Sequence, residues 1–349
     1  MSEKEQVKKI NAREHIRLRP GMYIGSVDKT GMHYLIIGFM RFLCEQNNAK
    51  TALVVDLSND ITVLKFKGTI INQMINSDTE KMLKAFTGFG QNILGANDSY
   101  LITVLFHLAS HMRVNTDKGD LIVLNNGKFT YNPANLGKED WLNFHFKLDK
   151  EFFGNYTFSK AIISTECEKL AALNNNVQIE LLDNRNGCNY HEKFTMEGGL
   201  IQLFNNKLDR IDSNSYGSYR RSSTSPNFHI NIKQPELSLE LVFMISNQED
   251  TFEKSYYRFL NLTNGGSHIS YLKMRLEQLN EKLNSEFDSY DNDLKSYNLM
   301  TNVETKHPFP FAGPTKTRIE DPMLVQIMKS AFDRLEPEII SFYSSKNSN

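Results

Sequence analysis

RPGMYIG, Arg19 to Gly25, is followed closely by Gly31-Met32-His33 and then by the apolar run YLIIGFMRFLC, Tyr34 to Cys44. Pro20-Gly21 stops the charged, helix-patterned segment 3–19. The run from Met32 to Cys44 has no clean polar stripe, which predicts a largely buried helix. Next come two strands, TALVVDLS (51–58) and ITVLKFKG (61–68), around a turn at Asn59-Asp60. Residues 78–94 and 99–112 carry helical patterns, and MRVNT, GDLIVLNNGKFTYN and WLNFHFKLD alternate as strands. A helix over 157–174, a hairpin VQIELLDNRNGCNYHEKFTM turning at Asn186-Gly187, and a short helix over 198–206 complete the first part.

Composition shifts at DRIDSNSYGSYRRSSTSP, Asp209 to Pro226, which is rich in Ser, Tyr, Asn and Arg and poor in aliphatics. Such a segment cannot bury enough apolar surface to order itself, so it reads as a linker or mobile loop. FHINIK, LSLELVFMIS and KSYYRFLNLT read as strands beyond it; a long helix over 267–288, an extended VETKHPFPF and a last helix over 321–343 follow. The expected organisation is a domain at 1–210, a linker at 211–226 and a second domain at 227–349, α/β followed by α+β.

The 349 residues, 40% hydrophobic and 23% charged, are those of a soluble globular chain of two domains. A net charge of −1 announces neither nucleic acid nor membrane. Cys44, Cys167 and Cys188 are too few and too scattered for a disulfide framework or a CxxC metal site. The charged N-terminus lacks the apolar run of a signal peptide, and YLIIGFM is too short to span a bilayer. The expected location is the cytoplasm.

RPGMYIG with Gly31-Met32-His33 resembles the start of the ATPase domain of the DNA gyrase B and topoisomerase IV family. Three further stretches resemble that family in the same chain order: MEGGLIQLFNNKL (196–208), LTNGGSHISYLKMRL (262–276) and FAGPTKTRIEDPMLVQIMKSAF (311–332). They resemble the end of the ATPase domain, the GGTH stretch of the transducer domain, and the transducer's QTK loop with its following helix. The resemblance implies a GHKL (Bergerat) α/β sandwich, then an α+β transducer domain like domain 2 of ribosomal protein S5. It also implies a left-handed βαβ crossover, an exception to the usual right-handed rule.

In that family the helix after RPGMYIG carries a Glu that activates water and, one turn later, an Asn that holds Mg²⁺. Those positions fall on Gly38 and Phe42. Neither accepts a proton or ligates a hard cation, and losing a general base alone costs about 10²–10⁴ in rate. Glu45 lies about 10 Å further along the axis, too far to substitute. The family's adenine-binding Asp falls on Lys65, whose ammonium has no acceptor lone pair. In place of the family's glycine-rich phosphate lid stands GFGQNILGANDSY, where Asp98 suits a helix cap and would repel a triphosphate. PTK at 314–316 keeps Lys316, which reads either as a phosphate contact or as a surface lysine preserved with its loop.

Other chemistry is sparse. Cys188 and His191 lack a second ligand pair, and His107 and His111, expected on one helix, lack an acidic or thiol partner. Arg13, Arg17 and Arg19 form one candidate basic face; Arg220 and Arg221, with Tyr216 and Tyr219, form a second candidate nucleic-acid contact. The expectation is a non-catalytic gyrase B-like protein without cofactor. It would act by binding a topoisomerase subunit, a second copy of itself or DNA, and no membrane. Two alternatives stand beside it. One is an ATP- and Mg²⁺-dependent topoisomerase component with an unusual pocket; the other is a small-molecule binder reusing the vacated site.

Overall fold

The computed structural model divides the chain into two compact units, Met1–Met196 and Glu197–Asn349. It describes residues 10–45, 51–59, 61–68, 86–88, 99–132, 141–214, 226–246, 251–286, 296–305, 311–312 and 317–346.

Unit 1 begins with α1 (Ala12–Leu18), α2 (Gly21–Ile24) and α3 (Lys29–Glu45). Two strands follow, β1 (Thr51–Leu57) and β2 (Thr62–Lys67), and then α4 (Tyr100–Leu108). The meander β3 (Ala109–Thr116), β4 (Gly119–Asn125), β5 (Lys128–Tyr131) and β6 (Leu142–Leu148) comes next. The unit closes with α5 (Lys150–Phe153), α6 (Lys160–Leu173), β7 (Val177–Asp183) and β8 (Tyr190–Phe194). The strands form one eight-stranded sheet in the order β5-β4-β3-β6-β2-β1-β7-β8. Among these strand pairs only β1/β7 is parallel; the others are antiparallel.

Alternation decides which face of this sheet is covered. Leu53, Val55 and Leu57 of β1, Leu64 and Phe66 of β2, and Phe144 and Phe146 of β6 are all nearly inaccessible. The residues between them are half-buried or exposed. Helices α3, α4 and α6 pack on the buried side, as the unstriped apolar run of α3 requires. At the two hairpin tips Asn126-Gly127 and Asn186-Gly187 take positive φ (45°, 86° and 54°, 76°), the conformation for which Asn-Gly is selected.

One boundary differs from the pattern reading. The helix expected over 99–112 stops at Leu108, and Ala109 (φ −84°, ψ 140°) already begins β3. No Gly or Pro marks the junction. The chain leaves the helix because Met112 and Val114 are buried as alternating members of the sheet.

Unit 2 has three layers. Its sheet runs β12-β11-β13-β10-β9, built from β9 (Phe228–Lys233), β10 (Leu237–Ser246), β11 (Glu253–Tyr257), β12 (Leu260–Asn261) and β13 (Ser296–Thr305). KSYYRFLNLT, read as one strand, is instead the β11/β12 hairpin, turned by Arg258 at φ 54°. The β11/β13 pair is parallel, and α8 (Ser267–Glu286) makes the crossover between them. α8 and α9 (Pro322–Lys346) pack together on the face that carries Leu239, Leu241, Phe243, Leu299 and Val303.

α7 (Gly199–Asn214) packs on β10 and β13, with Phe204 and Phe252 ring centroids 5.2 Å apart. This helix therefore belongs with unit 2, and the compact division falls at Met196 rather than at the composition shift near 210. Composition registers where the chain becomes polar. Packing registers which core a helix completes.

Candidate functional site

The stretch around RPGMYIG is specified by close backbone contacts. Asn11 and Glu14 form a reciprocal capping box at the start of α1. His15 Nδ1 meets Tyr23 Oη at 2.8 Å, and Tyr100 Oη reaches the Tyr23 carbonyl at 3.5 Å, so α2 is tied to both α1 and α4. Gly25 ends α2 at φ 79°, a conformation costly for residues with a β-carbon. Asp28 accepts from Ser26 Oγ (2.7 Å), Thr30 N (2.7 Å) and Gly31 N (3.1 Å), which organises the entry to α3. These donors hold the Asp28 carboxyl below its ordinary pKa, the Ser26 hydroxyl contributing most.

A β-carbon on Gly31 would lie 1.8 Å from the Ser26 carbonyl oxygen. The chain can double back before α3 only with glycine here. His33 then fastens α3 to a distant loop. Its Nδ1–H donates to Lys29 O (2.6 Å), and its Nε2 accepts from Ser159 N (2.8 Å). Both contacts require the neutral ring, and burial holds its pKa below the ordinary histidine value.

The second half of α3 has a different character. Gly38 and Phe42 are buried, Phe42 to 1% exposure. A β-carbon on Gly38 would lie 2.0 Å from Leu101 Cδ1, so a methyl group of α4 occupies the space a longer side chain would need. Phe42 stacks on Phe39 (6.2 Å, 11°), and Phe39 meets Phe144 edge-on at 5.0 Å. Glu45, at the end of α3, is half-buried.

Lys65 is not brought to these residues. It is exposed and sits on the sheet face opposite α3, while its neighbours Leu64 and Phe66, both at 0% exposure, point toward the helices. The helix-facing residue next to Lys65 is Phe66. The alternation of Leu64 and Phe66 with Lys65 and Lys67 was the sequence signal for it.

Known proteins match this arrangement along nearly its whole length. The DNA gyrase B protein of Streptococcus pyogenes serotype M3 is 23% identical over 358 residues, 94% of this chain and 53% of that protein. Its counterpart from Mycoplasma pneumoniae is 24% identical over 370 residues, with 94% and 56% covered. Among solved structures, the B-subunit of the DNA gyrase from Myxococcus xanthus superposes with TM-score 0.68 at 19% identity, covering 94% of each chain. The 43K ATPase domain of Thermus thermophilus gyrase B, in complex with an aminocoumarin, gives TM-score 0.68 at 16% identity, covering 96% of this chain and 92% of that one.

The chain resembles gyrase B in sequence and in fold. No family model matches it. It spans about half the length of the curated gyrase B proteins it matches. Unit 1 has the fold of the GHKL-type ATPase region and unit 2 that of the transducer.

Against the gyrase B fold the remaining candidates can be placed. His107 and His111 do not share a helix: His107 is buried on α4, and His111 is exposed on β3. Burial pushes His107 down to about 4, opposed by the Thr87 and Gly88 backbone. His191 Nε2 pairs with Glu180 at 2.9 Å, and Cys188 is an exposed thiol. No group of three or more metal-ligating side chains occurs among the described residues.

The expected basic face of α1 is largely committed to structure. Arg17 donates to Asp149 (2.8 Å) and to Glu151, and its guanidinium lies 4.5 Å from the Phe152 ring centroid. Arg13 packs over Gly127. Asp98, Lys316, Arg220 and Arg221 lie outside the described residues. No helix among the described residues is long and apolar enough to cross a membrane.

In unit 2 the turn Asn264–Ser267 clamps the segment that follows PTK. Asn264 N donates to Thr317 O (3.0 Å), Ser267 N to Ile319 O (3.0 Å), and Ile319 N to Gly265 O (3.3 Å). A β-carbon on Gly266 would lie 2.3 Å from Ile319 O, so glycine is required for this approach. His268, fully buried, is bonded at Nε2 to Ser255 Oγ (3.0 Å), which accepts from Thr301 Oγ1 (3.0 Å). Burial pushes His268 down to about 4. This polar chain ties the first turn of α8 to β11 and β13.

Proposed function

We propose that this chain is a non-catalytic relative of the gyrase B ATPase region, acting by binding a topoisomerase subunit, DNA or both. The observation that carries the reading is the methyl group of Leu101 standing where a side chain at position 38 would go. In the family that the sequence resembles, this helix face supplies the water-activating carboxylate and, one turn on, the Mg²⁺ ligand. Gly38 has no side chain, one placed there would have to displace the Leu101 methyl, and Phe42 puts an aromatic ring where a hard cation needs oxygen. Phe66 contributes apolar surface rather than a base acceptor. Three substitutions of different chemical kinds, each absorbed into the core, favour a scaffold over an engine.

The test is thermal unfolding of the whole chain with Mg²⁺ and a non-hydrolysable ATP analogue. The expected result is an unchanged Tm, with no ATP turnover above background. A working site at about 100 times its dissociation constant would add about 2.7 kcal/mol, a rise of several degrees, and would overturn the reading. Co-purification with gyrase or topoisomerase IV subunits, sedimentation of the chain alone, and duplex-DNA titration then identify which partner it holds.

A further inference from the structure

The sheet face turned away from the helices carries separate chemistry. Register sets His111 opposite Lys147 and Arg113 opposite His145 across β3 and β6. On the next strand Lys65 lies opposite Asn143. A cavity of about 240 Å³ opens here, and its titratable lining groups are His111, Arg113, His145 and Lys147. A second cavity of about 180 Å³ shares Ile61, Phe146 and Lys147 with the first. It is walled by Phe153, Tyr156 and Phe158, and adds Lys150 and Arg185. Among the described residues no carboxylate lines either cavity.

Nearby carboxylates limit this charge without cancelling it. Asp120 holds Arg113 Nε at 2.6 Å, Asp183 holds Arg185, and Asp56 lies opposite Val63 on β1. His145 is held below the ordinary histidine value by burial, then by Arg113 and Lys65, which rank ahead of Asp120 and Asp56. The centre of the face thus gathers Arg113, Lys147 and Lys65 around two histidines. Together the two cavities reach the lower part of the roughly 300–1,000 Å³ range of small-molecule sites.

We propose that these adjoining cavities, which meet at Ile61 and Lys147, bind a small phosphate ester of about mononucleotide size. Its phosphate sits over His111, Arg113 and Lys147, where charge-assisted donors surround an anion. Its organic body passes Ile61 into the lobe walled by Phe153, Tyr156 and Phe158. A nucleic-acid strand suits this surface less well. The neighbouring exposed and half-exposed positions are Val63, Lys65 and Asn143, and the exposed rings, Trp141 and Tyr156, are isolated rather than a row along which successive bases could stack. Asp56 and Glu180 also bound the cationic area on the β1 and β7 side. The phosphate lobe lies across the sheet from Gly38 and Phe42, and the second lobe reaches Met32 at the start of α3; neither is lined by Gly38, Phe42 or Phe66, so the proposal stands or falls independently of the pseudo-ATPase reading.

The experiment is calorimetric titration of the whole chain with uridine 5′-monophosphate, alongside NMR of the histidine rings. Uridine, inorganic phosphate and a thymidine oligonucleotide serve as comparison probes. The expected result is sub-millimolar binding of the monophosphate, with the His111 and His145 signals moving. Uridine and phosphate should each bind at least about tenfold more weakly, since each fills one lobe. The double variant Arg113→Gln/Lys147→Gln should lose about tenfold or more with Tm unchanged. Ile61→Asp, at an exposed residue between the lobes, should give the same loss by a different route. No binding at about 10 mM overturns the proposal, as does binding indifferent to both variants. Preference for the oligonucleotide overturns the small-ester assignment.

Discussion

The two halves of α3 obey different rules. In the first, Asp28, Gly31 and His33 are fixed by backbone geometry: a cap, a carbonyl 1.8 Å from a would-be β-carbon, and two hydrogen bonds of defined polarity. In the second, Gly38 and Phe42 touch only side chains, a leucine methyl and a phenyl face among them. Backbone contacts cannot be exchanged without moving the fold, whereas side-chain contacts can be repacked. One helix thus joins an end set by backbone contacts to an end set by side-chain packing.

The strongest way to break this contrast is to rebuild the chemistry. Gly38→Glu would press a carboxylate against Leu101 in the core, and Arg41 Nη2, 3.5 Å from the new β-carbon, offers only partial pairing. We expect a loss of about 4 kcal/mol by chemical denaturation. Gly38→Glu with Phe42→Asn should still give no Mg²⁺-ATP turnover. Adding Leu101→Ala to Gly38→Glu should recover more than about 1 kcal/mol relative to additivity, because it removes the obstructing methyl. Additive losses would mean that Leu101 is not what fills the site.

A smaller effect tests the other half. Gly31→Ala forces backbone apart at the Ser26 turn and should cost about 3 kcal/mol, with no rescue from any side-chain truncation nearby. A rescue by truncation would erase the distinction between the halves.

Acid should give the smallest loss. His33 and His107 in unit 1 and His268 in unit 2 are held neutral below the ordinary value of 6.5. Below pH 6.5 the unfolded chain takes up protons that the folded chain refuses, so stability present above that pH drains away as pH falls toward about 4. His107 and His268 should each cost about 2 kcal/mol by pH 5. His107→Gln and His268→Gln should flatten the profile in unit 1 and unit 2 respectively. An unchanged profile in both would remove the buried rings as its cause.

Most of the architecture was legible because it rests on short-range signals. The unstriped run before Cys44 announced α3, alternation announced β1, β2 and β6, and Asn186-Gly187 announced a hairpin tip. The α4/β3 junction was hidden because apolar residues run through it without a breaker, and the change of period is imposed by sheet pairing. Side-chain direction on β2 is legible in the alternation of Leu64 and Phe66 with Lys65 and Lys67. The meeting of Gly38 with Leu101 joins residues on different helices and is visible only once α3 and α4 pack. The cationic cavity likewise needs β3 and β6 in register before His111, Arg113, His145 and Lys147 become neighbours.

The Leu101 methyl also gives the molecule a direction in time. A carboxylate returning to position 38 meets an occupied space and weakens the fold before it can help any reaction. A smaller residue arriving first at 101 opens a hole in the core and gains nothing by itself. Either single step leaves a poorer protein, so the route back requires two changes together. On the proposed scaffold reading the contact works as a ratchet: placing a carboxylate at position 38 takes two changes together rather than one.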